Sequence, residues 1–332
     1  AWNMFHYELG EFLEIIPPQM RVSDSWYLGT ADAIYQNLYS INQADPKEVL
    51  ILSGDHIYKM DYKKMIQFHR DSGAELTIAS LQVPLAEASR FGVLEEDTTQ
   101  RVIGFAEKPA DPKPLPGNPD IALASMGVYV FNVETLKECV IADSERHSHH
   151  DFGKDIIPRL IESGKVFAYL FEDENKKNAL YWRDVGTLDS YWEANMDLVE
   201  VEPQFNLYDK EWPLRTIMPM APPAKFVFSD FGSRFGVATD SIVSPGCIVS
   251  GGMVRRSVLS PNVRINSYVF AEECIIMENA EIGRHSRLRR VIVEKGVRLP
   301  ENSIIGHDLE EDAKKYRVTE SGIVVVETGA LP

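Results

Sequence analysis

The apolar run Val49-Leu50-Ile51-Leu52 stops at Ser53-Gly54-Asp55-His56, the pattern of a buried strand that delivers a carboxylate at its carboxyl end. In an open α/β sheet ligands bind beyond that edge, and an acid there can hold the divalent metal that accompanies phosphates. Asp55 is therefore a candidate metal ligand. The competing reading makes it a turn residue, or the cap of the helix marked by Tyr62, Met65, Ile66 and His69. Other polar groupings point less far. His147-Ser148-His149-His150 reads as a solvated polar loop rather than a zinc site. Asp32 and Gln36 stand four apart at a helix start, where Asp32 serves the first turn.

The elements that must position Asp55 follow an alternating rhythm. From about residue 26 to 200, β-rich runs at Val49–Leu52, Leu76–Leu81, Val128–Phe131 and Val166–Leu170 alternate with amphipathic stretches at Ala31–Asn42, Tyr62–Asp71, Val133–Glu138 and Asp155–Ser163. That rhythm predicts an α/β sheet. The segment Ala110–Pro119 reads as an exposed loop between strands, and a linker follows around Val201–Ala224. Beyond it the period becomes six: Ile242, Ile248, Val254; Val263, Val269, Ile275; Ile276, Ile282, Leu288; Val291, Val297. A six-residue aliphatic repeat suits a parallel β-helix, with a loop expected to break the register between Val254 and Val263. Arg284, Arg287, Arg289, Arg290 and Lys295 concentrate positive charge there, either as a phosphate-binding patch or as a solvated face.

The 332 residues allow two domains, and 44% hydrophobic with 25% charged residues fits a globular protein with real cores. A formal net charge of −16 argues against nonspecific nucleic-acid binding and leaves phosphate ligands to local cations. Cys139, Cys247 and Cys274 have neither metal spacing nor a disulfide framework, which fits a reducing cytoplasm. The sequence has no apolar run of about eighteen residues and no secretory leader pattern.

Several segments in order carry a resemblance: Trp26-Tyr27-Leu28-Gly29-Thr30-Ala31-Asp32-Ala33, the Asp55 segment, Phe105-Ala106-Glu107-Lys108-Pro109, Ala124-Ser125-Met126-Gly127-Val128-Tyr129-Val130-Phe131, His150-Asp151-Phe152-Gly153-Lys154-Asp155 and Tyr181-Trp182-Arg183-Asp184-Val185-Gly186-Thr187. Across essentially the whole chain they resemble the sugar-nucleotide pyrophosphorylases, most closely the bacterial glucose-1-phosphate adenylyltransferases. Trp212-Pro213-Leu214-Arg215-Thr216 and Pro222-Pro223-Ala224-Lys225-Phe226-Val227 resemble that branch rather than its uridylyl or thymidylyl cousins.

The resemblance implies a Rossmann-like (GT-A-like) nucleotidyltransferase domain with a mixed sheet over residues 1–200, N-terminally truncated. A linker over 201–235 and a left-handed parallel β-helix of hexapeptide repeats over 236–332 would follow. It implies formation of ADP-glucose and pyrophosphate from ATP and α-D-glucose 1-phosphate, the committed step of glycogen or storage-glucan synthesis, in a cytoplasmic homotetramer open to a phosphorylated sugar or nucleotide effector. Asp55 and Asp184 would hold Mg²⁺, whereas Asp184 alone reads as a partner of Arg183 or a turn residue. Lys108 would bind the sugar phosphate and Glu107 would accept from sugar hydroxyls; out of context, Glu-Lys-Pro is a solvated strand end. Gly92 would allow close backbone approach and Ser125 would donate a hydroxyl, with Tyr27, Gly29 and Thr30 lining the same pocket.

The match has departures. The family's Gly-rich, Arg- and Lys-bearing phosphate loop is absent from a chain that opens at Ala1-Trp2-Asn3, so truncation is expected, and with it loss of activity in this chain alone. Leu28 replaces an Arg common in bacterial relatives, and Asn42-Gln43 stands where a basic effector-binding pair is expected. Lys295 remains as an effector contact. A UDP- or dTDP-sugar pyrophosphorylase and a non-catalytic regulatory subunit are the alternatives. A hexapeptide acyltransferase would need His285 as its catalytic histidine and would leave the upstream motifs unexplained.

Overall fold

The computed structural model describes residues 13–17, 26–177, 180–214, 216, 219–230 and 234–329; Arg215 of the linker motif lies outside them. Two compact units emerge. One contains Met60–Glu174 with the described residues before Asp55, the other Asp55–Lys59 together with the chain from Asn175 onward. Residues 175–200, expected within a 1–200 domain, thus cluster with the β-helix.

The first unit is built on a mixed sheet. Its strands are β1 (Glu48–Ile51), β3 (Leu76–Pro84), β4 (Gly92–Glu96), β5 (Val102–Glu107), β6 (Ile121–Asn132) and β7 (Val166–Leu170), in the order β5-β4-β6-β3-β7 with β1 also beside β6; the intervening β2 (His56–Ile57) belongs to the second unit. Only β3 and β7 pair in parallel. The two longest, β3 and β6, run buried through most of their length on both faces. Helices α1 (Thr30–Gln36), α2 (Leu38–Ala44), α3 (Tyr62–Ser72), α4 (Val133–Ser144) and α5 (Ile157–Ser163) complete the unit. The single helix expected over 31–42 breaks at Asn37, whose amide donates to Ala33 O and Tyr27 Oη, both at 2.7 Å. Leu76, Ile78, Phe131, Leu136, Ile157, Val166 and Ala168 form the core with at most 1% exposure.

In the second unit β2 pairs antiparallel with β8 (Arg183–Asp184), and α6 (Leu188–Asp197) follows. Its larger part is a parallel β-helix with three ladders of short strands. Val254, Leu259, Ile265, Ala271, Ile276, Ile282, Leu288, Val293, Leu299 and Ile305 point inward, at most 3% exposed. Their spacing is five, six and six residues, repeated, so Phe270 lies beside Arg287 and Arg287 beside Ile304, seventeen residues apart. The expected register break is therefore no loop: one side of each coil is a residue short. As a result Ile242 and Ile275 face outward beneath α6 with Trp192, Met196 and Val199, and Ile248 stacks in an outer row with Lys225 and Arg264. The coil also starts early, since Lys225–Val227, in the expected linker, already pairs with Ile248–Ser250. No helix among the described residues is long and apolar enough to cross a membrane.

Candidate functional site

The candidate residues fall into two sets, one in each unit. In the second unit the β2·β8 ribbon brings Asp55 and Asp184 together. His56 is the register partner of Asp184, and Val185 N–H donates to Asp55 O at 2.9 Å. The ligand atoms of Asp55, His56 and Asp184 lie within 4.8 Å of one another, with both carboxylates exposed. A Cβ placed on Gly186 would stand 3.0 Å from Asp184 Oδ1 and 3.3 Å from Asp55 Oδ2, so glycine leaves the space into which the two acids converge. Two exposed carboxylates with room for water are the donor set a hard, oxygen-seeking Mg²⁺ uses.

Two of the competing roles lose ground here, the helix cap at Asp55 and the Arg183 pairing of Asp184. Helix α3 is capped by Asp61, which accepts from Lys63 N–H at 3.0 Å, so Asp55 is not its cap. Arg183 pairs with Asp197 at 3.0 Å, because neighbouring residues on a strand point to opposite faces. Asp184 accepts the Gly186 N–H at 2.8 Å, so the turn role expected of it is present beside its approach to Asp55. At the other end of the ribbon, fully buried Lys59 donates to Asn206 O at 2.8 Å and pairs with Asp209 at 3.3 Å. The His56 ring meets Trp182 edge-on at 4.9 Å.

In the first unit the other set gathers around Glu107. Its Oε2 would lie 2.9 Å from a Cβ on Gly92 and 2.6 Å from one on Gly153, so two glycines make a slot for this carboxylate. Burial holds the Glu107 pKa above the usual carboxylate range, and the Asp151 charge adds to the effect; Lys108 and Lys154 oppose it. Lys108 follows directly, exposed, with its N–H bound to Phe91 O at 3.1 Å and φ of 48°. The same left-handed conformation occurs at other turns of the chain, such as Asp45, Gln100 and Lys176, so at Lys108 it marks the tight turn after β5.

Thr30 Oγ1 donates to Asp151 Oδ2 and accepts from Phe152 N–H, each at 3.2 Å. Gly29 is needed for the same contact, since a Cβ would stand 2.3 Å from His150 O and 2.4 Å from His149 O. Ser125 sits at a bulge in β6, where Gly127 takes φ of 68° and donates its N–H to Ser125 Oγ at 3.2 Å. Burial lifts the nearby Tyr129 phenol to about 12, with the Ser125 hydroxyl pulling the other way. Tyr27 is tied to α1 through Asn37.

Asp151, Gly153 and Gly186 join these sets although the sequence reading gave them no role. Their motifs were visible, but only folding reveals that Asp151 meets Thr30 or that Gly153 faces Glu107. His150 lends its ring to Asp143 at 2.8 Å and to Ser148 at 3.1 Å, which anchors the loop bearing Asp151. Asp32 accepts from Leu28 N–H at 2.9 Å and Gln36 at 2.8 Å. The coil spreads the basic residues of the β-helix over different faces. Arg287 and Arg289 lie on one outer row, with Arg289 3.9 Å from Glu272, while Arg290 stacks over Trp192 and Arg284 over Tyr268. Lys295 is exposed in a turn, with its carbonyl accepting from Thr328 Oγ1 at 3.2 Å.

Comparison with known proteins agrees with this architecture. A family described as nucleotidyl transferase matches residues 8–201, and one described as GlmU-like, C-terminal hexapeptide, matches 222–326. The chain is 52% identical to a glucose-1-phosphate adenylyltransferase of Rhodopirellula baltica, over 100% of this chain and 75% of the relative. It is 53% identical to one of Koribacter versatilis, over 96% and 77%, and 50% identical to one of Methylococcus capsulatus, over 100% and 78%.

Proposed function

The chain belongs to the nucleotidyl transferase family, among the glucose-1-phosphate adenylyltransferases, and from this we propose that it forms ADP-glucose and pyrophosphate from ATP and α-D-glucose 1-phosphate. A phosphate oxygen of the sugar attacks the α-phosphorus of ATP; the bond from that phosphorus to the β-phosphate bridge breaks, and pyrophosphate leaves. The nucleophile is already an oxyanion, so the protein must align two anions and offset their repulsion rather than form a covalent intermediate.

The observation that carries this reading is the convergence of Asp55 and Asp184 on the space above Gly186. These carboxylates are proposed to hold Mg²⁺, which supplies divalent charge and oxygen coordination to the phosphates. Lys108 is proposed to grip the sugar phosphate as a point charge. Glu107, set in its slot between Gly92 and Gly153, accepts from sugar hydroxyls, and the Ser125 hydroxyl donates one hydrogen bond. Tyr27, Gly29 and Thr30 shape the same pocket, and Asp151 orients Thr30. The homotetramer, the phosphorylated effector at Lys295, the cytoplasmic setting and the place in glycogen or storage-glucan synthesis belong to the same proposal.

The test is turnover of Asp55→Asn and Asp184→Asn in the full-length protein. Each is expected to lose at least about a hundredfold in kcat while retaining the wild-type circular dichroism spectrum. Undiminished turnover in Asp55→Asn would remove the catalytic assignment and favour a regulatory subunit.

A further inference from the structure

The strand that carries Asp184 runs within four residues into α6, and α6 is fastened to the last hairpin of the β-helix. Gly186 N–H holds Asp184 Oδ1 at 2.8 Å, and Thr187 with Ser190 forms a capping box at the start of α6. In the first turn Asp189 Oδ1 accepts from Thr319 Oγ1 at 2.5 Å and from Ser321 Oγ at 2.7 Å. The hairpin is itself preset for this contact. Arg317–Val318 pairs antiparallel with Val324–Val326, and Thr319 Oγ1 accepts Ile323 N–H at 3.1 Å. Ser321 O accepts from Arg290, whose guanidinium lies over the Trp192 ring of α6 at 4.5 Å.

The loop between the acid and the helix is tied at its middle as well, where Val185 N–H donates to Asp55 O at 2.9 Å. Val185, Gly186 and Thr187 border a cavity of about 730 Å³ that also reaches Met277, Ile292 and Val325. With open space on that flank, the loop is placed by its hydrogen bonds, at Val185 and at the two ends.

We propose that Asp189, clasped by Thr319 and Ser321, is a positioning residue for Asp184, through which the terminal hairpin of the β-helix sets the geometry of the metal-binding carboxylates. This rests on the reading of Asp55 and Asp184 as the metal pair. Carboxylates that bind Mg²⁺ must meet a strict octahedron, so a loop that wanders by a few tenths of an ångström costs affinity. A charged acceptor serving two hydroxyl donors is well suited to prevent that.

The experiment is a Mn²⁺ titration of the full-length protein followed by electron paramagnetic resonance, with thermal melting alongside. Asp189→Ala, and the pair Thr319→Val with Ser321→Ala, are each expected to weaken Mn²⁺ binding on the order of tenfold, as outer-sphere supports of metal ligands do. Arg264→Ala is the comparison: it removes an exposed 3.8 Å contact to Glu281 on a different ladder of the β-helix from the terminal hairpin, and is expected to leave Mn²⁺ affinity within about twofold. Equal Mn²⁺ affinity in Asp189→Ala and wild type overturns the inference, as does equal loss in Asp189→Ala and Arg264→Ala. Asp184→Asn separates the two levels. If it binds Mn²⁺ like wild type, the metal reading itself fails; if it loses binding while Asp189→Ala does not, only the clasp fails.

Discussion

Gly186→Ala is the sharpest perturbation of the metal pair because it adds one methyl and removes no donor. The new carbon would stand 3.0 Å from Asp184 Oδ1 and 3.3 Å from Asp55 Oδ2, against an ordinary contact of at least 3.4 Å. Asp184 must therefore retreat by about 0.4 Å and Asp55 by about 0.1 Å. Metal–ligand distances tolerate about 0.2 Å, so the pair can no longer close on one small cation without moving the loop. A loss of tenfold to a hundredfold in Mn²⁺ affinity is expected, or about 1.4–2.7 kcal/mol. Gly54→Ala supplies the contrast, since Gly54 directly precedes Asp55 yet a Cβ there meets nothing within 4 Å. The assay is a Mn²⁺ titration read by paramagnetic resonance on both variants. Wild-type affinity in Gly186→Ala, or an equal loss in Gly54→Ala, would refute the crowding argument.

Three further outcomes are expected. Lys108→Ala should raise the KM for glucose 1-phosphate by on the order of a hundredfold while leaving the KM for ATP within about threefold, measured by initial rates of pyrophosphate release; an equal rise in both would reassign the lysine. Glu107→Gln should lower turnover yet raise the melting temperature near neutral pH by about 1–2 °C, because it removes a carboxylate that burial and Asp151 resist ionising. Since the folded pKa of Glu107 is raised, its neutral form favours folding at low pH and that contribution is lost as pH rises through the folded value. The gap between variant and wild type should thus close as the melt is taken into acid, and a gap that widens there would reverse the sign. Burial lifts the Cys139 thiol to about 11 and that of Cys274 to about 12, and raises Cys247 as well. All three should resist a thiol reagent at pH 8 until denaturant is added, and rapid labelling in the native state would contradict this.

The strands of the first unit were legible because continuous apolar runs such as Val128–Phe131 have one economical solution, burial on both faces. Their ends were not, since β6 starts well before its apolar run and kinks at Gly127 to place Ser125. The β-helix was legible as a class but not as a register. Aliphatic side chains fill both the inner row and the outer row beneath α6, so Ile275 and Ile276 look alike in sequence while facing opposite ways. Asp55 could be singled out from its strand. Asp184 could not: its proposed role draws on the family resemblance and on a ribbon that turns Arg183 toward Asp197 and sets Asp184 beside Asp55. Asp189 carried no signal at all, because its partners Thr319 and Ser321 lie 130 and 132 residues away.

The account stands most directly on pyrophosphate release by the full-length protein supplied with glucose 1-phosphate and Mg²⁺, run in parallel with ATP, UTP and dTTP. It predicts release that requires the sugar phosphate and is at least about a hundredfold faster with ATP than with either rival. Faster release with UTP or dTTP would contradict the adenylyl assignment, and no release with any nucleotide would contradict the catalytic one.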